Sequence, residues 1–308
     1  MDAVTHTVVA VAIGMAGHRH WGRRGILGVA AAANLPELER AIALGSPAAW
    51  VQVVYGAGHS LLTAPLLGVL LAAAVARRLA SWKTAALLVG LGLGSHVALD
   101  LLSGPGVRLL WPLSRQFYGL RLVARYDLLI LAVLAAALIA PRLLNLVNRD
   151  MGAALYSPQR PARAGLAAVV LLLAARAVLL AMVESRTDQS GSFALSPSAI
   201  HPLTWYSVAD AGSTYTVEEI TPWSDGPTMR LRKAQPNRAF ETAAETPLAQ
   251  AFLEIAQFPQ YSLERGEKGM LVRIRDLRFF SPGGHGKEYS VEIEVTPQLQ
   301  VVGQRARM

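Results

Sequence analysis

Four stretches of the chain, residues 58–76, 84–103, 127–147 and 164–183, stay apolar for about the twenty residues that a helix needs to cross a bilayer. Such stretches admit few architectures. Backbone in hydrocarbon has no water to bond, so a spanning segment must be a helix or part of a closed barrel. Runs of this length and composition read as helices. Two shorter apolar runs come first, 4–17 and 25–35, joined by the basic tip His18-Arg19-His20-Trp21-Gly22-Arg23-Arg24. They predict a helical hairpin whose second arm stops at Asn34-Leu35-Pro36 and either spans or re-enters. The first run follows no basic segment and ends on Gly17-His18-Arg19-His20. That is a poor cleavage site, so the run reads as a retained membrane segment.

Charge divides the chain in the same place. Residues 1–183 hold 16 Lys/Arg against 6 Asp/Glu, whereas 184–308 hold 13 against 15, so the formal net charge of +8 arises in the apolar half. Basic residues that flank apolar runs read as membrane anchors. No basic stripe interleaves with aromatics, which argues against a nucleic-acid partner. There is no cysteine, hence no disulfide, thiolate ligand or cysteine nucleophile.

Following the crossings puts 36–58 and 100–126 on one side, with five bases: Arg40, Arg108, Arg115, Arg121 and Arg125. The tips 18–24, 77–83 and 142–163 share the other side, with ten. The positive-inside rule places those tips in the cytoplasm of an inner-membrane protein. The last helix then delivers the C-terminus to the extracytoplasmic side. Arg176, inside that helix, must face protein, water or a partner.

Beyond residue 184 a polar, Ser-rich stretch reads as a linker to residue 202. Strand patterns follow at 204–209 and 214–220 around Asp210-Ala211-Gly212-Ser213, a hairpin turn. Helix chemistry marks 247–256, with Thr246 as cap and Pro247 at the first position. Residues 270–279 and 287–295 read as strands, the second alternating Tyr289, Val291, Ile293 and Val295 against Glu288, Ser290, Glu292 and Glu294, as for a sheet with one wet face. His201 and His285 fall in loops. The expected fold is therefore a polytopic α-helical membrane domain (1–184), a linker (185–202) and a small soluble α+β domain (203–308).

Chemistry concentrates at one end of the membrane helices. Five of the six acids in the membrane half, Asp2, Glu37, Glu39, Asp100 and Asp127, fall on the proposed outer side, with His6, His59 and His96. Ionisable groups at membrane depth are paired, solvated or functional. His96 and Asp100 are four apart and share a helix face, where both can reach a divalent cation. His59 follows Gly56-Ala57-Gly58, where backbone can approach closely, and His6 follows Asp2 by four. Glu37 and Glu39 flank Leu38 after Pro36, and they serve equally well as loop solvation or partners of Arg40. Asp127 opens a helix as a dipole-stabilised cap or as a ligand. Any one histidine is explained by interfacial hydrogen bonding. Their convergence is what points to a metal site.

These residues also carry a resemblance. The chain resembles the membrane-bound metal-dependent hydrolases, bacterial and archaeal inner-membrane proteins, over residues 1 to about 147. The resemblance rests on Met1-Asp2-Ala3-Val4-Thr5-His6, Asn34-Leu35-Pro36-Glu37-Leu38-Glu39, Gly56-Ala57-Gly58-His59-Ser60, Ser95-His96-Val97-Ala98-Leu99-Asp100, Leu110-Trp111-Pro112 and Asp127. It implies a hydrolase with a divalent metal, zinc foremost. His6, Glu39, His59, His96, Asp100 and Asp127 would be ligands and Glu37 or Glu39 the base, acting on an ester or phosphodiester of a lipid or envelope component. The chain departs from that family's pattern at Glu37 and Glu39, where aspartates are usual, at Val54 in place of a histidine, and at Gly58 in place of a threonine. The alternative expectation is a non-catalytic membrane protein that keeps the fold while its soluble domain binds a protein partner. A proton-coupled transporter would need ionisable groups mid-bilayer, and these cluster at one end.

Overall fold

The computed structural model describes residues 1–39, 45–53, 56–76, 81–104, 106–152, 155–187, 192–266, 269–280 and 289–307. Two compact units emerge. One comprises 1–39 with 55–179, the other 40–54 with 180–308.

In the first unit Asp2 opens α1 (Ala3–Ala16) by accepting from the amides of Val4 and Thr5 at 3.0 and 3.1 Å, so this acid is a helix cap. Helix α2 (His18–Asn34) follows directly, bent at Gly22, whose φ of 57° is costly for any residue with a Cβ. Asn34 Nδ2 donates to Thr7 Oγ1 at 3.0 Å and ties the end of the second arm to the start of the first. The expected hairpin is present.

After α3 (Pro47–Val53), which belongs to the second unit, come α4 (Ala64–Ala76), α5 (Trp82–Leu102), α6 (Leu128–Asp150) and α7 (Gln159–Arg186). The last three are long and apolar enough to cross a membrane. The apolar run 58–76 is not one continuous helix, contrary to expectation. A 3₁₀ turn at Ala57–His59 precedes a break before Ala64. The cause is local: the Leu61 amide donates to Leu109 O at 2.9 Å and Ser60 Oγ donates to Trp111 O at 2.6 Å. Backbone that would continue a helix is thereby held by the loop after α5.

The second unit carries two antiparallel four-stranded meanders. One is β1 (Phe193–Pro197), β2 (Trp205–Asp210), β3 (Thr214–Ile220) and β4 (Asp225–Arg232). The other is β5 (Pro259–Arg265), β6 (Met270–Asp276), β7 (Ser290–Val295) and β8 (Val301–Arg307). Helices α8 (Arg238–Ala244) and α9 (Pro247–Leu253) connect them. Ala194, Val208, Tyr215 and Val217 of the first sheet pack with Phe258 and Leu277 beside the second. Helix α9 lies against α3 and β7.

The membrane-plus-α+β reading holds. Strand β1 falls inside the stretch read as a linker, because a short edge strand with only Ala194 and Leu195 buried leaves little trace in a Ser-rich composition. The strand read at 270–279 ends at Asp276, whose carboxylate accepts from the Arg278 amide at 3.1 Å and opens a 3₁₀ turn. His285 and the start of the strand read at 287–295 lie outside the described residues.

One side chain overturns the expectation of a wet face on β7. Glu292 is 1% exposed. Its carboxylate accepts from Arg273 Nε at 2.9 Å and from Arg305, and Arg307 Nε lies 3.1 Å away. Cross-strand pairing brings this about, since Arg273 and Arg305 are the direct partners of Glu292 in β6 and β8. Long arginine stems cover what alternation assigns to water.

Burial pushes the Glu292 carboxyl up, while hydrogen bonds from Arg305 and Arg273 and the charges of Arg305 and Arg307 pull it down further, so it is held below the ordinary carboxylate value. A carboxylate depressed in the folded state adds stability above its unfolded value and loses it as pH falls through the folded one. Protection of β6–β8 amides in hydrogen exchange on the full chain should therefore weaken as pH drops below the usual carboxylate range. Glu292→Gln should flatten that dependence and cost about 1–3 kcal/mol at neutral pH through loss of charge-assisted hydrogen bonds, since Arg273 keeps Glu264 and Arg305 and Arg307 reach water.

Candidate metal centre

The centre begins with two helices that approach unusually closely. A Cβ on Gly92 of α5 would stand 2.5 Å from Val29 O and 2.6 Å from Ala32 Cβ, so only glycine lets α2 lie this near. One turn further along α5, His96 Nδ1 comes within 2.6 Å of Ala33 O. That carbonyl is available because α2 ends. Pro36 supplies no amide, and the Glu37 amide bonds Asn34 O at 3.1 Å instead of reaching back to Ala33.

A carbonyl only accepts, so Nδ1 of His96 carries the hydrogen and a neutral ring presents a lone pair at Nε2. That lone pair faces His59 Nε2 at 3.1 Å and Asp100 Oδ2 at 3.4 Å. His59 Nε2 is 3.2 Å from the same carboxylate oxygen, and His6 Nε2 is 3.3 Å from Oδ1. The His6 and His96 rings stack with centroids 3.8 Å apart. The Met1 amino nitrogen also lies against Oδ1. His6 and His96 are 0% exposed, Asp100 1% and His59 2%.

Three imidazole Nε2 atoms thus surround one buried carboxylate. His96 Nε2 can only accept while its ring is neutral, so it meets His59 across a shared proton or a shared cation. The separations suit either arrangement, 3.1 Å being an ordinary hydrogen-bond length. Ligand atoms at about 2.1 Å from a tetrahedral ion stand ~3.4 Å apart, against the 3.1–3.4 Å measured here. Donor atoms of His6, His96 and Asp100 lie within 4.8 Å of one another, the group of this kind found among the described residues. The hydrogen bond from His96 Nδ1 to a backbone carbonyl is the usual outer partner of a metal-bound histidine.

A family model described as "YdjM inner membrane protein" matches residues 1–183. The chain belongs to that family. No match was found among curated proteins or among solved structures. The family places this member in the inner membrane, and the matched segment takes in every residue of the centre.

The other residues expected at the site are placed differently. Glu39 Oε1 accepts from the Gly58 amide, next to His59, so this acid positions the histidine's backbone. A Cβ on Gly58 would stand 2.8 Å from Pro36 Cα and 3.0 Å from Glu39 Oε1, which explains why glycine stands there. Glu37 is half-buried on the turn after α2. Val54 lies outside the described residues. Asp127, expected as cap or ligand, is a cap: Oδ1 accepts from the Ile130 amide at 3.1 Å, and Oδ2 is bound by Arg176. Arg176 thereby meets its requirement for a partner inside the last helix, and Asp127 has no oxygen left uncommitted.

The Ala33 carbonyl and Gly92 are the participants that a reading of side chains missed. The break at Pro36 was the available signal, since a helix that stops there must hand its last carbonyls to something.

Two outcomes follow. Asp127→Asn should lower thermal stability by about 3–5 kcal/mol, the usual penalty for stripping one partner from a buried ion pair, while leaving metal content per folded chain unchanged. Gly58→Ala should destabilise by about 1–3 kcal/mol through overpacking against Pro36. Both are checked by thermal unfolding of detergent-purified protein with parallel elemental analysis.

Proposed function

We propose that this chain is a membrane-embedded metal-dependent hydrolase, with a divalent cation held by His6, His59, His96 and Asp100. The observation that carries the reading is His96: its Nδ1–H is committed to Ala33 O, and its Nε2 lone pair is aimed at a second imidazole and a carboxylate. Imidazole with carboxylate suits zinc among the common divalent ions. Bound there, such an ion supplies a water acidified enough to ionise near neutral pH.

The protein's own groups would do the rest. Asp100 balances charge beside three rings that are neutral when they ligate. The Ala33 carbonyl holds the His96 tautomer. Glu39 fixes the Gly58-His59 peptide with one oxygen, and its second oxygen or the Glu37 carboxylate is the candidate to accept a proton. A centre at the ends of membrane helices suits an ester or phosphodiester of a lipid.

Purified from membranes and loaded with zinc, the wild type should retain metal, and His96→Ala and Asp100→Ala should each lower affinity by at least tenfold, in line with loss of an outer partner or more. Retention should fall as pH is lowered, since the ligands must be deprotonated to bind. Equal metal in all three proteins, or none in any, would overturn the assignment and favour a non-catalytic member whose soluble domain binds a partner.

The excess of bases on the tips 18–24, 77–83 and 142–163 supports an extracytoplasmic position for the C-terminal domain. The chain has no cysteine, so single introduced thiols report sidedness cleanly. Gln300→Cys in intact cells should react with a membrane-impermeant maleimide, whereas His20→Cys should react only after the membrane is opened. The reverse pattern would invert the topology.

A further inference from the structure

Along α4 and α5 runs a groove of about 350 Å³ whose lining residues are all apolar. Its α5 wall extends from Trp82 through Gly90 and Gly94 to Val97, and Leu61 and Gly68 stand across from it. At the helical rise the stretch from Trp82 to Val97 is about 22 Å. That exceeds the ~15 Å depth of one leaflet, half of a ~30 Å hydrocarbon core. The groove is long enough for a whole acyl chain.

Its two ends differ. Val97 adjoins His96 in sequence, and Leu61 follows His59 by two, so one end is lined by residues next in the chain to two of the metal-type donors, none of which lines the groove itself. There the Leu61 amide and Ser60 Oγ bond Leu109 O and Trp111 O, which ties the groove's mouth to the segment after α5. Residues 101–126 contain Arg108, Arg115, Arg121 and Arg125 and no acid. The buried Arg108 guanidinium lies 5.0 Å from the Phe117 ring centroid. One end of the apolar groove is therefore tied to a segment that carries four arginines and no acid, near in sequence to two of the metal-type donors.

Gly90 and Gly94 share one face of α5, and a Cβ on either would meet no heavy atom within 4 Å. Glycine is a poor helix former, and here, unlike Gly92, no neighbouring protein atom demands it. What the pair preserves is the open space of the groove.

We propose that this groove seats an acyl chain of an anionic glycerophospholipid, with its phosphate under the arginines of 101–126 and beside His59 and His96. The proposal rests on the hydrolase reading and names its substrate class. A second copy of the chain fits the same surface less well. A two-fold contact through the groove would bring the two arginine-rich segments toward each other, like charge against like.

The full chain is reconstituted into phosphatidylcholine vesicles doped with phosphatidylglycerol that carries a photoreactive diazirine on one acyl chain. The comparison probe is phosphatidylcholine with the same acyl chain. Phosphatidylglycerol should label α4 and α5 peptides about tenfold more than phosphatidylcholine does, and an excess of unlabelled phosphatidylglycerol should compete. The double variant Gly90→Leu, Gly94→Leu should lose that selective labelling while α7 peptides, which bear the exposed Leu171, label as before. Val69→Trp, which fills the groove from α4, should do the same and serves if the double variant fails to fold.

Labelling indifferent to headgroup, or unchanged in both variants, would overturn the proposal. So would a groove-filling variant that turns a dimer into a monomer. His96→Ala should keep the selective labelling. Selective labelling of a wild type that retains no metal therefore counts against the hydrolase reading alone, and bound metal without selective labelling counts against the groove alone.

Discussion

A helix that ends inside a protein leaves carbonyls that must find donors, and in this protein the one at buried Ala33 finds His96. Much of the centre depends on that bond. It fixes which ring nitrogen holds the proton, and so turns Nε2 toward His59 and Asp100. It is reachable only because Gly92 lets α2 lie against α5 with no side chain between them. A methyl group at that position would push the carbonyl away and free the ring. The geometry of the donors is thus set by backbone, through a proline that stops one helix and a glycine that admits it to another.

Buried charge is handled in two ways along this chain. Asp127 with Arg176, and Glu292 with Arg273 and Arg305, pair a carboxylate with guanidinium groups that stay protonated. In both, every carboxylate oxygen is committed to a permanently charged partner or a backbone amide. Asp100 is surrounded mainly by imidazoles, which are neutral over much of the physiological range. The contrast separates structural acids from the candidate site more sharply than burial does, because all three carboxylates are equally inaccessible to water.

What the sequence made legible was the part governed by period and length. Apolar runs of membrane length gave α5, α6 and α7, and the i, i+4 spacing of His96 and Asp100 put both on one face. Helix ends and turn chemistry predicted the β2–β3 hairpin and the Thr246 cap. What escaped were features that depend on partners distant in sequence. The break in 58–76 arises from bonds to Leu109 and Trp111, and the burial of Glu292 from arginines on neighbouring strands. Asp127 was legible as a cap, but its commitment to Arg176, 49 positions on, was not. Gly58 looked like a lost threonine; against Pro36 and Glu39 it is the residue that fits.

The surroundings of Asp100 bear on how its charge is met. An ionised carboxylate removed from water needs compensation, and neutral imidazoles offer at most hydrogen bonds. His96 cannot offer even that at Nε2 while Ala33 holds its proton at Nδ1. The Met1 amino group against Oδ1 meets part of that charge; an extra proton on one ring, or an ion among the nitrogens and oxygens, is a further way to meet it. An imidazolium answers the charge but uses one ring and leaves the His96 lone pair facing another donor set. A divalent ion answers the charge and takes up all the lone pairs at once, at separations that the protein already holds. Pre-formed spacing of this kind would let the proposed site bind metal without first moving its helices.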